Sequence, residues 1–431
     1  MAIPPWTIEL LRRGLSDVAR KASEPATLEK IKTQATEILQ DLPQTAARSI
    51  DAVIRGAEAG KKSVERWSRK HTTLAVPMLN ATGVLVHDSG CGVPIAEQAL
   101  EVGREFMLGD TLGASMIQER LERRFQRLLP AGGDRAIVIT SNFAAALTAF
   151  SLLVRERQLV VHRAHAVRLP GGLSLPDAFT TLLPVIQEVG AIDQVHPGDF
   201  DSLDRFCAIM ADDGHKGVAP IDFGSKDASQ AVVLPIATFA ASSIAEIPSV
   251  EAVLSAGADY VIIPGDGVCG GPACGILVGP TDELRRIQSS HAWDSLRASD
   301  AVQAMILVTL EMAASEPDRI PVRSLLSTAE QNLRARAERL ATRLSGSDLI
   351  KSCQVTADDA KLTSEGRWRF PSRQLRVRHV SLEAATWQRN LQDELPAIMA
   401  NISGEDLCVD LRWISPADDA RLGEALGGKI A

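Results

Sequence analysis

An α/β protein with a mostly parallel sheet, helices on both faces and a small α+β domain at the C-terminal end is the architecture the sequence predicts. Three observations predict it. Short apolar runs alternate with helical stretches from about Val76 to Val278, the pattern of strands joined by crossover helices. A long helical region follows, up to about residue 345. Beyond it, strand-like runs return between helices.

Taken in order, residues 1–75 show apolar positions at helical spacing in "TLEKIKTQATEILQDL" and "AARSIDAVIRGAEAGKKSVERW". They predict a helical arm without a core of its own, which docks on the main body or on a partner. Residues 76–325 form the predicted large α/β domain. "RAIVIT" (135–140) precedes the helix "SNFAAALTAFSLLVRER", and "QLVVH" (158–162) precedes the helix "LPDAFTTLLPVIQEVG". "AIDQVH", "FCAIMA", "AVVLPIAT", "DYVIIP" and "GILVG" read as further strands, with the helix "SVEAVLSAGA" among them. "DAVQAMILVTLEMAA" is an apolar helix suited to a subunit contact. Residues 326–431 hold a linking helix in "LLSTAEQNLRARAERLATRLSG" and a small domain with the strands "QLRVRHV" and "EDLCVDLRWI".

The chain has 431 residues, 45% of them hydrophobic and 23% charged, which is the balance of a soluble globular protein with ample core. A net charge of −8 argues against a dedicated nucleic-acid surface. Cys91, Cys207, Cys269, Cys274, Cys353 and Cys408 are scattered without Cys-x-x-Cys pairs or histidines at zinc spacing. They are expected as reduced core thiols, with no metal site. "MAIPPWTIELLRR" lacks the basic start and apolar run of a signal peptide, and no apolar run is long enough to span a membrane. A cytoplasmic location is the expectation.

Chemistry concentrates in "DYVIIPGDGVCGGPACGILVG" (259–279), a strand, a Gly-rich turn and a second apolar strand. With it go "LNATGVLVH" (79–87), "VPIAEQALE" (93–101), "GGDRAIVITSNFAAAL" (132–147), "HRAHAVRLPGGLSLPDAF" (162–179) and "LRARAERLATRL" (333–344). In this order they resemble the L-seryl-tRNA(Sec) selenium transferases (selenocysteine synthases), a family of pyridoxal-phosphate enzymes of fold type I. The resemblance covers about residues 76–345 and implies that fold, a subunit interface and pyridoxal phosphate as cofactor.

What the resemblance implies can be placed residue by residue. The cofactor phosphate is seated at Ser141 and Asn142, at the start of a helix where N–H groups and the dipole favour an anion. The same two residues also serve as an ordinary helix cap. The family's Schiff-base lysine falls at Gly267, after Asp266, and its ring-nitrogen aspartate falls near Thr238. Neither replacement supplies the chemistry, so covalent attachment of pyridoxal phosphate is not expected. The family's Gly-Arg after the opening segment becomes Cys91-Gly92, and its arginine-rich segment becomes "SSHAWDSLRASD", with Arg297 kept and Asp294 at the other arginine position. Arg163 and His165 are a site-facing pair, or Arg163 is a salt-bridging residue at a strand end. Lys216 and Lys226 are the alternative amines, in the polar stretch "DDGHKGVAPIDFGSKDAS", which reads as an exposed loop. Cys269 and Cys274 would support a thiol chemistry, but no basic neighbour in sequence activates them.

Three readings follow. The first is a non-catalytic relative that binds an anionic ligand or a partner. The second is an enzyme, a transferase or lyase, that uses pyridoxal phosphate non-covalently or through Lys216 or Lys226. The third is a tRNA-binding protein without catalysis, resting on Lys61, Lys62, Arg66, Arg69 and Lys70. A homodimer or higher homo-oligomer is expected in each.

Overall fold

The computed structural model describes residues 76–428 except 87–92, 110–113, 130–133, 170–173, 181–185, 213, 216, 225, 242, 243 and 245. The expected N-terminal arm with its basic cluster, Cys91, Gly92 and Lys216 therefore lie outside the described residues. Residues Pro77–Ala431 form one compact unit.

Strand β1 (Met78–Ala81) comes first, followed by helices α1 (Glu97–Leu108) and α2 (Ala114–Gln126). The large sheet is built from β2 (Arg135–Thr140), β3 (Gln158–His162), β4 (Ile186–Val189), β5 (Arg205–Ala211), β6 (Asp227–Val233), β7 (Tyr260–Pro264) and β8 (Gly275–Pro280). Helices α3 (Phe143–Val154), α4 (Leu175–Thr180) and α5 (Val250–Ser255) lie between them in sequence. Its strand order is β2-β8-β7-β6-β5-β3-β4, and β8 alone runs against its neighbours. The mostly parallel sheet read from the sequence is present.

Both faces of this sheet are covered. Ile137 and Ile139 point to one face and Val138 to the other, as the two-residue period of a strand requires. The first face packs on α2, α5 and the later helix α8, the second on α3, α4 and α6. These two are α6 (Thr281–Gln288) and, after the short α7 (Trp293–Leu296), α8 (Asp300–Ser315). Covered on both sides, β5 is buried at every position after Arg205. Each fully buried Phe or Ile in such a core contributes about 1.5–3 kcal/mol.

Helices α9 (Pro321–Ser327) and α10 (Glu330–Ser345) lead to the second sheet. Strands β9 (Ile350–Thr356), β12 (Gln374–His379), β13 (Ala397–Ser403) and β14 (Asp406–Asp410) form it in the order β1-β13-β14-β12-β9. Between β9 and β12 stand the short antiparallel β10 (Asp359–Lys361) and β11 (Arg369–Pro371). α10, α11 (Ala384–Gln392) and α12 (Asp419–Gly427) supply the apolar cover, with Leu340, Trp387 and Leu422 buried on it. β1 pairs in parallel with β13, Met78 opposite Ala397, so the first strand belongs to the sheet made by the end of the chain.

Four sequence expectations are corrected. "AIDQVH" is not a strand; the strand is the preceding "IQEV", placed there because it pairs with β3. The long linking helix is two helices, α9 and α10, broken at Thr328 and Ala329. The stretch read as an exposed loop is exposed or half-buried loop only in its middle; it begins at the buried Asp212 and ends inside β6. The apolar helix α8 is not left for a subunit contact: Ala304, Met305, Ile306, Leu307, Leu310 and Met312 are buried within this chain. α1 approaches it so closely that a Cβ on Gly103 would stand 2.4 Å from Met305 Sδ.

Candidate functional site

The strands β2, β5, β6 and β7 run parallel, so their C-terminal ends lie along one edge of the sheet, where open α/β folds bind ligands. At the end of β2 the chain turns into α3. Asn142 is extended (φ −161°) and its side chain accepts the Ala145 N–H at 2.8 Å, a helix cap. The Thr140 hydroxyl lies 2.9 Å from the Asn142 carbonyl and 3.2 Å from that of Gly275. Gly275 must be glycine here: a Cβ would stand 2.4 Å from Thr140 Oγ1 and 2.5 Å from the Asn142 oxygen.

Ser141 is exposed, and its N–H donates to Leu296 at 2.8 Å. The Ala298 N–H donates back to Ile139 at 3.0 Å. Arg297 is thereby held against the end of β2, bridged to Thr140. Its guanidinium has Asp300 at 3.4 Å and is partly exposed. Ser141, Asn142 and the Arg297 backbone thus come together at the start of α3, where Asn142 takes the Ala145 and Ala146 N–H groups and the Arg297 guanidinium turns to Asp300. The arrangement can take an oxyanion.

Arg163 is elsewhere. Its Nη1 donates to the Gly190 carbonyl at 2.8 Å and its Nε stands 3.5 Å from Glu188. It is a strand-end salt bridge beside β4, and β3 lies five strand spacings from β2, roughly 24 Å. His165 is buried and faces the Ala211 carbonyl at 2.9 Å, which draws it toward the end of β5.

The end of β5 carries the polar contacts that the sequence did not reveal. Asp212 is buried and takes a two-pronged ion pair from Arg367, at 2.8 and 2.7 Å. It also accepts the Gly214 N–H at 2.8 Å. Arg367 lies in the connection between β10 and β11, and its own N–H donates to Gly214 at 2.8 Å. Trp368 packs so tightly on Gly214 that a Cβ there would stand 2.6 Å from the indole. A second feature missed in the sequence is a buried His162, whose Nδ1 accepts the Ala164 N–H while Nε2 meets Asp199 at 3.0 Å. That geometry places the proton on Nε2 and lowers the Asp199 pKa, chiefly through the histidine hydrogen bond. No pattern of residue types pointed to either pair, because each joins distant segments.

Thr238 is buried five residues beyond β6. Its hydroxyl donates to Ala240 at 2.8 Å and its backbone bridges to Ser249, which caps α5. It serves the turn and offers no charge.

At the end of β7, the Gly-rich turn is fixed by contacts that only glycine permits. A Cβ on Gly271 would stand 2.4 Å from Ile306, and one on Gly270 would stand 2.6 Å from Ile320. Gly267 differs. Its φ is +59°, and among the described residues the one atom within 4 Å of its missing side chain is a Val86 methyl at 3.9 Å. Desolvation by the surrounding protein raises the Asp266 pKa, although its residue keeps an exposed edge. Cys269 and Cys274 are buried. Burial pushes the Cys269 thiol up to about 12 and Cys274 well above its ordinary value, so both are protonated structural thiols. Among the described residues no cluster of metal-ligating side chains occurs. No described helix is long and apolar enough to cross a membrane.

Lys226, the described member of the two alternative amines, precedes β6 and so lies at the opposite end of the strands. It donates to the Phe200 carbonyl at 2.8 Å and pairs with Asp201 at 3.0 Å. Strand β6 puts roughly 20 Å between it and the site edge.

The chain is similar to known proteins in sequence and in fold. The domain family "SelA: L-seryl-tRNA selenium transferase" matches residues 229–415. The L-seryl-tRNA(Sec) selenium transferase of Desulfomicrobium baculatum is 25% identical over 97% of this chain and 95% of its own length. That of Moorella thermoacetica is 25% identical over 92% of this chain and 87% of its own. A solved D-glucosaminate-6-phosphate ammonia-lyase superposes with a TM-score of 0.57 at 16% identity, covering 82% of this chain and 95% of that one, a likeness of fold. The fold is that of the fold-type I pyridoxal-phosphate enzymes, and in sequence the chain resembles the L-seryl-tRNA(Sec) selenium transferase family along most of its length.

Proposed function

We propose that this selenium transferase-like protein binds a phosphate-bearing ligand at the end of β2 and lacks the standard lysine-based chemistry of pyridoxal-phosphate enzymes. The observation that carries the reading is Gly267, at φ +59° and without a side chain at the position where the resemblance implies a lysine. A phosphate seat here is supported by Ser141 and Asn142 at the start of α3 and by the Arg297 backbone bridged to Thr140 beside them. The ring portion does not find its partners at Thr238 and Gly267. Pyridoxal phosphate, when bound, supplies an electron sink whose strength depends on a protonated ring nitrogen. Thr238 cannot hold that proton in place, which argues against transferase or lyase turnover.

The relatives are named for seryl-tRNA, and binding of tRNA without chemistry is therefore a second reading. Homo-oligomerisation belongs to the proposal as well, through a surface other than α8.

Pyridoxamine phosphate is the discriminating probe for the seat, because it carries the phosphate and ring without an aldehyde. Calorimetric titration should show binding that Arg297→Gln weakens about tenfold, the loss of one partly solvated charge-assisted hydrogen bond. Absence of binding, or affinity indifferent to Arg297, would remove the reading.

A further inference from the structure

We propose that a pocket on the face of the large sheet covered by α2, α5 and α8 binds a small apolar amine, with a single ring or a branched aliphatic group seated in the core and an ammonium group held by Glu251. The site is separate from the anion seat and does not depend on it. α3, whose start forms that seat, packs on the opposite face.

The pocket lies where the end of α2, the helix α5, the last turns of α8 and the turn after Thr238 meet, and its volume is about 190 Å³. Leu129, Phe239, Val250, Leu254 and Leu310 line it and belong to the apolar core of that face. None of the five is more than 8% exposed, so the pocket reaches into the core and is not a flat apolar patch. Glu251 and Ala314 also line it and are exposed, which places them at its mouth.

Size sets one half of the ligand. Drug-sized molecules need roughly 300 Å³ or more. An apolar cavity of about 150 Å³ accepts benzene. A pocket of about 190 Å³ therefore takes one ring, or an aliphatic group of similar bulk, with little to spare. Apart from Glu251, every lining side chain is apolar, so transfer of the ring out of water drives its entry and no lining side chain selects for a hydroxyl or an amide within.

Charge sets the other half. The Glu251 N–H donates to the Phe239 carbonyl at 3.3 Å, and its Oε2 accepts the Ala241 N–H at 3.2 Å. These two contacts hold the carboxylate against the turn that carries Phe239. Among the described residues no basic side chain pairs with it, whereas Arg124 on the neighbouring α2 is committed to Glu311. The other carboxylate oxygen can accept a charge-assisted hydrogen bond from an ammonium group. The same charge repels carboxylates and phosphates, the opposite preference from the end of β2.

Occupancy would also brace the turn at Thr238. The Thr238 N–H donates to the Pro248 carbonyl and the Val250 N–H to the Thr238 carbonyl, each at 3.0 Å, so two walls of the pocket, Phe239 and Val250, are joined through it.

Ligand-observed NMR titration of the full chain with benzylamine, toluene and benzoate tests the idea. Benzylamine should bind with a dissociation constant of about 1 mM, about fivefold tighter than toluene, with benzoate weakest. Glu251→Gln, which still accepts the Ala241 N–H, should bring benzylamine to within about twofold of toluene. Ala314→Leu at the exposed mouth should weaken both about tenfold. Hydrogen exchange at the Thr238 and Val250 amides should slow with benzylamine bound, which locates the ligand without any substitution. Failure of both benzylamine and toluene to bind, or exchange at those amides that ignores benzylamine, would overturn the pocket. A preference for benzylamine that survives Glu251→Gln would overturn the role of the carboxylate.

Discussion

The end of β2 and the end of β7 lie two strands apart in one sheet, and the resemblance to the selenium transferases has survived differently at each. At β2 the residues expected to seat a phosphate are present and are also needed by the fold: Asn142 caps α3 and Gly275 admits the Thr140 hydroxyl. At β7 the turn keeps its glycines where Ile306 and Ile320 press on them, while at Gly267, where the resemblance implies a lysine, the described residues bring only a Val86 methyl within 4 Å. Packing fixes the first positions and leaves the last unconstrained. The seat is therefore informative about ligands only together with Arg297, which the helix cap does not require.

Three substitutions would sharpen that contrast. The largest effect should come from Gly275→Ala, whose Cβ overlaps Thr140 and Asn142: a loss of about 3 kcal/mol in urea unfolding, with a weaker pyridoxamine phosphate titration. A loss below about 1 kcal/mol would show that the end of β2 relaxes easily and is not set by packing. Gly267→Ala meets open space but a left-handed backbone, so it should cost about 1 kcal/mol, all of it conformational. A cost as large as that at Gly275 would mean that the open side of Gly267 is filled in solution. The smallest effect belongs to Arg163→Ala. Its exposed pair with Glu188 should be worth less than about 0.5 kcal/mol, and pyridoxamine phosphate affinity should not change. A drop in affinity would place the seat near β3 instead of β2.

The sequence revealed the fold well where periodicity was local. β2, β3, β5, β7 and β8 stand where their apolar runs stand, and Ser249 caps α5 just before its apolar pattern begins. It failed where partners were distant. "IQEV" became a strand because β3 offered an edge, and "DLRWI" ended its strand at Asp410, buried against Ser372 and Gln374. The site followed the same rule. Ser141 and Asn142 were placed by one turn and Gly267 by another, each of which reads in a single stretch. Arg163 took the strand-end salt bridge offered as one of its two readings, with Glu188, whereas Thr238 went to its own turn and Asp212 found Arg367 across 155 residues, which no linear pattern contains.

The parallel pairing of β1 with β13 bears on how the protein is made. Met78 faces Ala397, and the Asn401 side chain donates to the Thr82 carbonyl across a separation of 319 residues. During synthesis the large sheet can close as soon as β8 has emerged from the ribosome, yet β1 must wait for almost the whole remainder of the chain. A nascent or truncated chain that stops before Ala397 carries an unpaired strand near its beginning, with its ladder groups open to any other strand in the cell. Strand β13, Ala397–Ser403, thus acts as the closing stitch for β1.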